Sequence, residues 1–287
     1  MSKPKILVQL DSDVHASVFD GVVAVEAGVD HLFQYHGVTA ERVRDLVYGA
    51  MFTRGVADLR YTAVFVGGAS VAVGETLLKA VKKCFFGPMR VSVMLDANGA
   101  NTTAAAAVLA AAEHLPLDQI QATVLAGTGP VGQRAVRLLA RCGARVRLAS
   151  RTLDKAEAAA RSLRQAIPDA QLTPVAGGSA AEVQAALAGS QLVIAAGAAG
   201  VELMDAEARQ ASRDLRVAID LNAVPPLGIA GVETMDKAKE RDGVIGYGAI
   251  GVGGMKMKIH RAAVQQLFTA NSLVLDAEEI FELGKAL

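Results

Sequence analysis

Short apolar runs alternate with helix-periodic stretches along this 287-residue chain. In the first third, residues 6–10, 63–66 and 91–95 read as strands, and helical patterns lie near residues 40–52 and 71–85. Asn101, Thr102 and Thr103 offer cap chemistry for an alanine-rich helix that runs to about His114, where Pro116 breaks it. Further strands are predicted at 123–126, 146–149, 172–175, 192–196, 217–221 and 244–247, with helical segments between most of them. That alternation predicts an α/β fold: a small N-terminal α/β domain and a doubly wound, Rossmann-type domain. The Asp276–Glu279 segment has capping-box chemistry ahead of a helix with Ile280, Phe281 and Leu283 on one side, expected to return to the first domain. The expected boundaries are 1–115, 116–268 and 269–287, with a hinge at residues 115–118.

Composition narrows the function. With 29 basic and 29 acidic residues there is no electrostatic case for a nucleic acid or an anionic membrane as partner. The apolar stretch 104–112 is too short to cross a bilayer, and Lys3, Pro4 and Lys5 precede a strand rather than a signal-peptide core, so a cytoplasmic protein is expected. Cys84 and Cys142 lack C-x-x-C spacing, and the five histidines neither pair at i, i+4 nor cluster with cysteine, so no metal site is expected.

The strongest motif is Gly127-Thr128-Gly129-Pro130-Val131-Gly132, between an apolar strand and a helix. Gly127 permits a tight turn, Gly129 lets the backbone approach a pyrophosphate, and Gly132 lets the helix pack closely, its positive end toward the phosphates. About twenty residues on, where an NAD site places an acidic residue, the chain has Ser150, Arg151 and Thr152. A hydroxyl and a guanidinium bind a 2′-phosphate, whereas a carboxylate repels it, which favours NADP. Arg151 as the cap of a surface turn is the competing explanation.

Four other segments carry more polar chemistry than a loop needs. Asp13, Ser17 and Asp20 follow the first strand, and a solvated helix start explains them as readily as a ligand does. Asn98, Asn101, Thr102 and Thr103 follow another strand, with capping as the alternative. Asn222, before Pro225 and Pro226, faces a ligand or rigidifies a turn. Residues 246–261 read as a strand, a flexible glycine loop and a helix start, with Gly253 in the loop and Lys256 in the first helical turn. A cation is disfavoured there, which suggests that Lys256 anchors a substrate, with a solvated surface lysine as the competing explanation.

Five blocks taken together, at 10–20, 85–103, 125–132, 222–229 and 246–261, resemble the NAD(P)-dependent methylene-tetrahydromethanopterin dehydrogenase family of methylotrophic bacteria, nearly end to end. The resemblance implies a pterin-binding domain facing an NADP domain across a cleft. It also implies reversible hydride transfer from the methylene carbon of the pterin to the nicotinamide, in one-carbon oxidation by a homo-oligomer. Carried over position by position, it assigns the pterin to Asp13, Ser17, Asp20, Asn98, Asn101, Thr102 and Thr103. Asn222 and the catalytic Lys256 would line the reaction site. NADP would fall to residues 127–132 with Ser150, Arg151, Thr152, Lys155, Ala196, Gly197 and Gly253. Thr152 stands where strictly NADP-dependent members have a basic residue, so NAD is kept as an alternative cofactor, and Glu26-Ala27 replaces an acidic residue followed by glycine. Competing expectations are a methylene-tetrahydrofolate dehydrogenase and a non-catalytic NADP-sensing protein. Closure across residues 115–118 and 222–228 is expected to exclude water.

Overall fold

A computed structural model describes residues 3–287. In chain order, β1 (Ile6–Leu10), α1 (Val18–Glu26), β2 (His31–Tyr35), α2 (Val43–Phe52), β3 (Thr62–Val66), α3 (Val71–Lys83) and β4 (Ser92–Leu95) alternate as the apolar pattern requires. Next come α4 (Ala100–Ala112), β5 (Gln121–Leu125), α5 (Pro130–Arg141), β6 (Arg145–Ser150), α6 (Leu153–Ala166), β7 (Leu172–Ala176), α7 (Ala180–Leu187) and β8 (Leu192–Ala195). The chain finishes with α8 (Ala206–Ala211), β9 (Val217–Asp220), β10 (Lys239–Arg241), β11 (Val244–Tyr247), α9 (Ala249–Gln266), β12 (Val274–Leu275) and α10 (Ala277–Gly284).

The chain divides into two units, Met1–Thr102 with Met257–Leu287, and Thr103–Lys256. In the first, the parallel sheet runs β12-β4-β3-β1-β2. Chain order reverses between β1 and β3, so ligands are expected beyond the carboxyl ends of those strands. β3 and β4 are buried along their whole length, which is why they read as continuous apolar runs. The C-terminal segment belongs to this unit: β12 pairs with β4, and α10, capped by Asp276 and Glu279 in a capping box, buries Ala277, Ile280 and Phe281.

The second unit has a seven-stranded sheet, β10-β11-β9-β8-β5-β6-β7, parallel except for β10. Its reversal of strand order falls between β5 and β8, as in a dinucleotide-binding sheet. Leu138 and Leu139 of α5 are fully buried. At about 1.5–3 kcal/mol for each such side chain, they hold α5 to the sheet and thereby aim its N-terminus.

Three expectations change. The passages between units lie at residues 102/103 and 256/257, inside α4 and α9. Residues 115–118 and 222–228 both lie within the second unit, the former around a short 3-10 turn at Leu117–Gln119, so neither joins the units. β2, β10 and β12 were not visible as apolar runs because each is a sheet edge, and β2 is exposed at all positions but Leu32. Finally, residues 249–254 are helix rather than a flexible loop. Val252, Ile259, Ala263, Val264 and Leu267 of α9 and the turn after it form a buried stripe at helical spacing, which outweighs roughly 1 kcal/mol per helical glycine. Gly248 and Gly251 serve close packing instead: a Cβ on either would collide with the backbone oxygen of Glu233 or Asp236.

Candidate active site

In the second unit the turn from β5 into α5 has no room for side chains. A Cβ on Gly132 would lie 2.5 Å from the carbonyl oxygen of Ala126, and one on Gly127 would lie 3.0 Å from that of Val124 and 3.1 Å from Cγ of Leu148. Ala126 itself holds a left-handed φ of 53°, so the tight bend begins one residue before the first glycine. Gly129 is the N-cap of α5 without a side-chain cap, and Pro130 occupies the first turn, where its missing N–H costs nothing. The remaining first-turn N–H groups, on Val131 and Gly132, are therefore positioned for an anion. Thr128 and Pro130 complete this turn, and a Cβ on Gly129 would lie 3.6 Å from the carbonyl oxygen of Ala196, so the Ala196–Gly197 loop after β8 borders the same place.

Ser150 ends β6, its hydroxyl 3.1 Å from that of Thr128. Arg151 and Lys155 are exposed, and among the described residues neither has an ion-pair partner. Thr152 is the N-cap of α6 without a side-chain cap bond, leaving its hydroxyl and the helix start available to a phosphate. The sequence did not single out Gly177 and Gly178. The Gly177 N–H donates to the Ser150 carbonyl at 2.8 Å, and a Cβ on Gly178 would lie 2.6 Å from the Arg151 carbonyl oxygen, so these glycines back the Ser150–Arg151 turn.

In the first unit, a buried carboxylate organises the end of β1. Asp11 accepts the N–H of Asp13 at 2.9 Å and that of Ser17 at 3.0 Å, and Ser17 caps α1 through the N–H of Asp20. Asp13 accepts the Ala69 N–H at 2.9 Å, tying this loop to the one after β3. There a Cβ on Gly67 would come within 3.3 Å of the Asp20 carboxylate and 3.5 Å of that of Asp11. The loop after β4 joins them, since the N–H of Asn98 donates to the Gly68 carbonyl at 2.7 Å. Asp13, Ser17, Asp20 and Asn98 thus gather at the carboxyl ends of β1, β3 and β4. Asn98, with φ 55°, supplies the turn into α4.

Asn101 and Thr102 play a different part from the one expected. Asp96, not they, caps α4, accepting both their N–H groups at 2.9 and 3.0 Å and the Thr102 hydroxyl at 2.6 Å. The buried Asn101 amide donates to the Leu95 carbonyl and to Asp276, so it ties β4 to the C-terminal cap. Thr103 is only partly covered. His260 of α9 is buried against this corner, stacked 5.6 Å from Phe65 with Nδ1 3.8 Å from Asp96. Sequence spacing gave no signal for it, because its partners lie far away along the chain. At Glu26-Ala27, Gly28, at φ 82°, supplies the left-handed residue that follows α1, and Glu26 pairs with Arg261 at 3.0 Å.

Asn222 holds its own loop. Its amide donates to the Pro226 carbonyl at 3.0 Å and accepts from the Val224 N–H at 2.9 Å. The neighbouring Asp220 accepts the N–H groups of Asn222 and Ile229 at 3.0 Å, yet burial still pushes its carboxyl above the usual range. Lys256 is not in the first turn of its helix: α9 starts at Ala249, about two turns earlier, which removes the electrostatic misfit with the helix start. Gly253 lies inside α9 with open space on its Cβ side. The Tyr247 hydroxyl donates to Glu113 at 3.1 Å and lies 2.8 Å from His114. Burial, reinforced by the Glu113 charge, pushes this phenol up to about 12 and keeps it neutral. Among the described residues no three His, Cys, Asp or Glu side chains gather to hold a metal, and no helix is long and apolar enough to cross a membrane.

Residues 18–98 match the family model described as methylene-tetrahydromethanopterin dehydrogenase, N-terminal. Over 287 residues and 99% of both chains, the sequence is 46% identical to the bifunctional protein MdtA of Methylorubrum extorquens. The chain belongs to the methylene-tetrahydromethanopterin dehydrogenase family. It is also 29% identical, over 97% of both chains, to the NAD(P)-dependent methylenetetrahydromethanopterin dehydrogenase of the same organism. Among solved structures, shikimate 5-dehydrogenase from Listeria monocytogenes aligns with a TM-score of 0.57 at 15% identity, over 98% of this chain and 96% of that one. Quinate dehydrogenase from Corynebacterium glutamicum aligns at 0.55 and 14%, over 99% of both. These two likenesses establish the dehydrogenase-type α/β fold of a family member whose sequence they barely share.

Proposed function

We propose that this chain is an oxidoreductase that reversibly oxidises methylene-tetrahydromethanopterin to methenyl-tetrahydromethanopterin with NADP, and with NAD as an alternative acceptor. One observation carries the reading. A side-chain-free glycine turn opens an uncapped helix at the strand-order reversal of a parallel sheet, in a chain 46% identical end to end to a member of this family.

The residues fit the cofactor. Gly127 to Gly132 would hold the pyrophosphate, and Ser150, Arg151, Thr152 and Lys155 the 2′-phosphate. Ala196 and Gly197 would line the path toward the nicotinamide, which, when bound, supplies the hydride acceptor. On the substrate, one C–H bond of the methylene carbon that bridges N5 and N10 would break, both electrons leaving with the hydrogen as hydride for the nicotinamide. The nitrogen lone pairs then delocalise the positive charge, so the chain needs no general base. Its work is to hold the carrier, orient it and keep water away. Asp13, Asp20 and Asn98 would bind the pterin ring, with Ser17 and Thr103 beside them, while the buried Asn101, Thr102 and Asn222 would keep the loops in shape. Lys256 would orient the pterin through an electronegative edge, because a positive charge set directly against the nascent cation opposes its formation.

We also assign the protein to the cytoplasm, supported by two cysteines that form no disulfide, and to a homo-oligomer. Val18, Val22 and Val25 on one face of α1 are more than half exposed, and Phe33 and Tyr35 are exposed on edge strand β2, apolar surface that a partner copy would cover. The test is a steady-state assay pairing methylene-tetrahydromethanopterin and methylene-tetrahydrofolate with each nicotinamide. The folate is included because a methylene-tetrahydrofolate dehydrogenase is the competing enzyme expected from the sequence. The reading expects turnover with the methanopterin carrier, and cofactor binding without turnover of either carrier would replace the enzyme by a sensor.

A further inference from the structure

A second concave site lies in the NADP-binding unit, at the opposite end of its sheet from the glycine turn. Arg216 immediately precedes β9 and Val244 opens β11, so the cavity beside them sits at the amino ends of strands whose carboxyl ends face the dinucleotide turn. Its volume is about 610 Å³, the size of a small-molecule site rather than of a groove for a protein surface. Three arginines, Arg209, Arg213 and Arg216, line it within eight residues of chain, in a protein whose overall charge balances to zero.

Two of these guanidinium groups are fixed by backbone carbonyls. Arg209 donates to the Ala230 carbonyl at 2.9 Å and to that of Arg241 at 3.3 Å, and lies so close to Gly231 that a Cβ there would collide with it. Arg216 donates to the carbonyls of Arg213 and Leu215, both at 3.2 Å. Such bonds hold a guanidinium in place without neutralising it, and each guanidinium has five N–H donors. Among the described residues none of the three arginines has a carboxylate partner. One carboxylate, Asp242, also lines the cavity, leaving a local excess of positive charge beside the apolar Leu215 and Val244.

We propose that this cavity binds a phosphorylated small molecule, its phosphate groups held by Arg213 and Arg216 and its organic body filling the remainder of the cavity. Planar guanidinium groups match phosphate oxygens two at a time, which is why arginine rather than lysine suits such a site. The ligand is distinct from the NADP of the proposed reaction, whose phosphates belong to the other end of the sheet.

The test is calorimetric titration of the full chain, saturated with NADP, with inorganic pyrophosphate and separately with ADP. Both are expected to bind, ADP more tightly because it adds an organic body. Arg213→Ala and Arg216→Ala are each expected to weaken binding by about tenfold or more, with melting temperature and NADP affinity unchanged. No binding of either probe, or equal affinity in the variants and the parent, overturns the proposal. If the chain instead fails to bind NADP, the cofactor reading falls, while the response of pyrophosphate binding to Arg213→Ala still decides this one.

Discussion

Gly132 turns its Cα hydrogens toward the carbonyl oxygen of Ala126, and a Cβ built there would lie 2.5 Å from that oxygen. The contact lets α5 start directly above the end of β5, with its free N–H groups over the turn. Gly132→Ala must push helix and strand apart, at a cost of about 1–3 kcal/mol. Urea unfolding should show that loss, and NADPH fluorescence titration should show affinity weaker by about tenfold or more, since 1.4 kcal/mol is a factor of ten. A variant of parental stability and affinity would contradict the close packing.

On the proposed reading, the end of β6 sets the choice of dinucleotide. Arg151→Asp replaces an exposed cation by an anion beside the Ser150 hydroxyl, and should weaken NADP by about tenfold or more while NAD binds as before or better. Dissociation constants for both nucleotides measure it. Equal losses for the two would remove Arg151 from the 2′-phosphate site.

Lys256→Ala should lower kcat/KM by about a hundredfold or more, the scale at which orientation and electrostatics act. NADP affinity should be preserved. Unchanged turnover would take Lys256 out of the mechanism.

One ion pair supplies a pH dependence. Burial alone would raise the Asp236 carboxyl, but hydrogen bonds from Arg241 and the Glu233 N–H, with the nearby positive charge, outweigh it and hold the group below its ordinary value of 3.8. A carboxyl lowered on folding contributes stability above its unfolded value, and that contribution disappears as pH falls through the lower folded value. Arg241→Ala should therefore destabilise the protein at pH 7, and the deficit should shrink in acid as Asp236 protonates. Urea midpoints of parent and variant across this range check it, and a deficit independent of pH would contradict the pairing.

Sequence pattern showed the central strands plainly, because β3, β4, β5 and β8 are buried nearly throughout and their apolar runs are unbroken. It failed at the edges: the His31–Tyr35 strand is exposed almost everywhere, and strand pairing rather than residue type makes it a strand. The dinucleotide turn was legible because its glycines answer to a local steric demand. The glycines of 248–254 misled because theirs is tertiary: Gly248 and Gly251 make room for residues 233 and 236, invisible from neighbours in sequence. Asn101, Thr102 and Asn222 sit where ligands bind and have the right chemistry, yet their polar groups serve Asp96, Asp276 and Pro226. Composition cannot tell a polar group that meets a ligand from one that shapes the loop beside it.

The most direct test of the central claim follows the hydrogen itself. Methylene-tetrahydromethanopterin carrying deuterium on its methylene carbon is incubated with the chain and NADP, and the reduced cofactor is weighed by mass spectrometry. The account predicts NADPH carrying deuterium from that carbon, formed together with the methenyl pterin. Reduced cofactor without the label, or no reduction at all by a chain that binds both molecules, would contradict it.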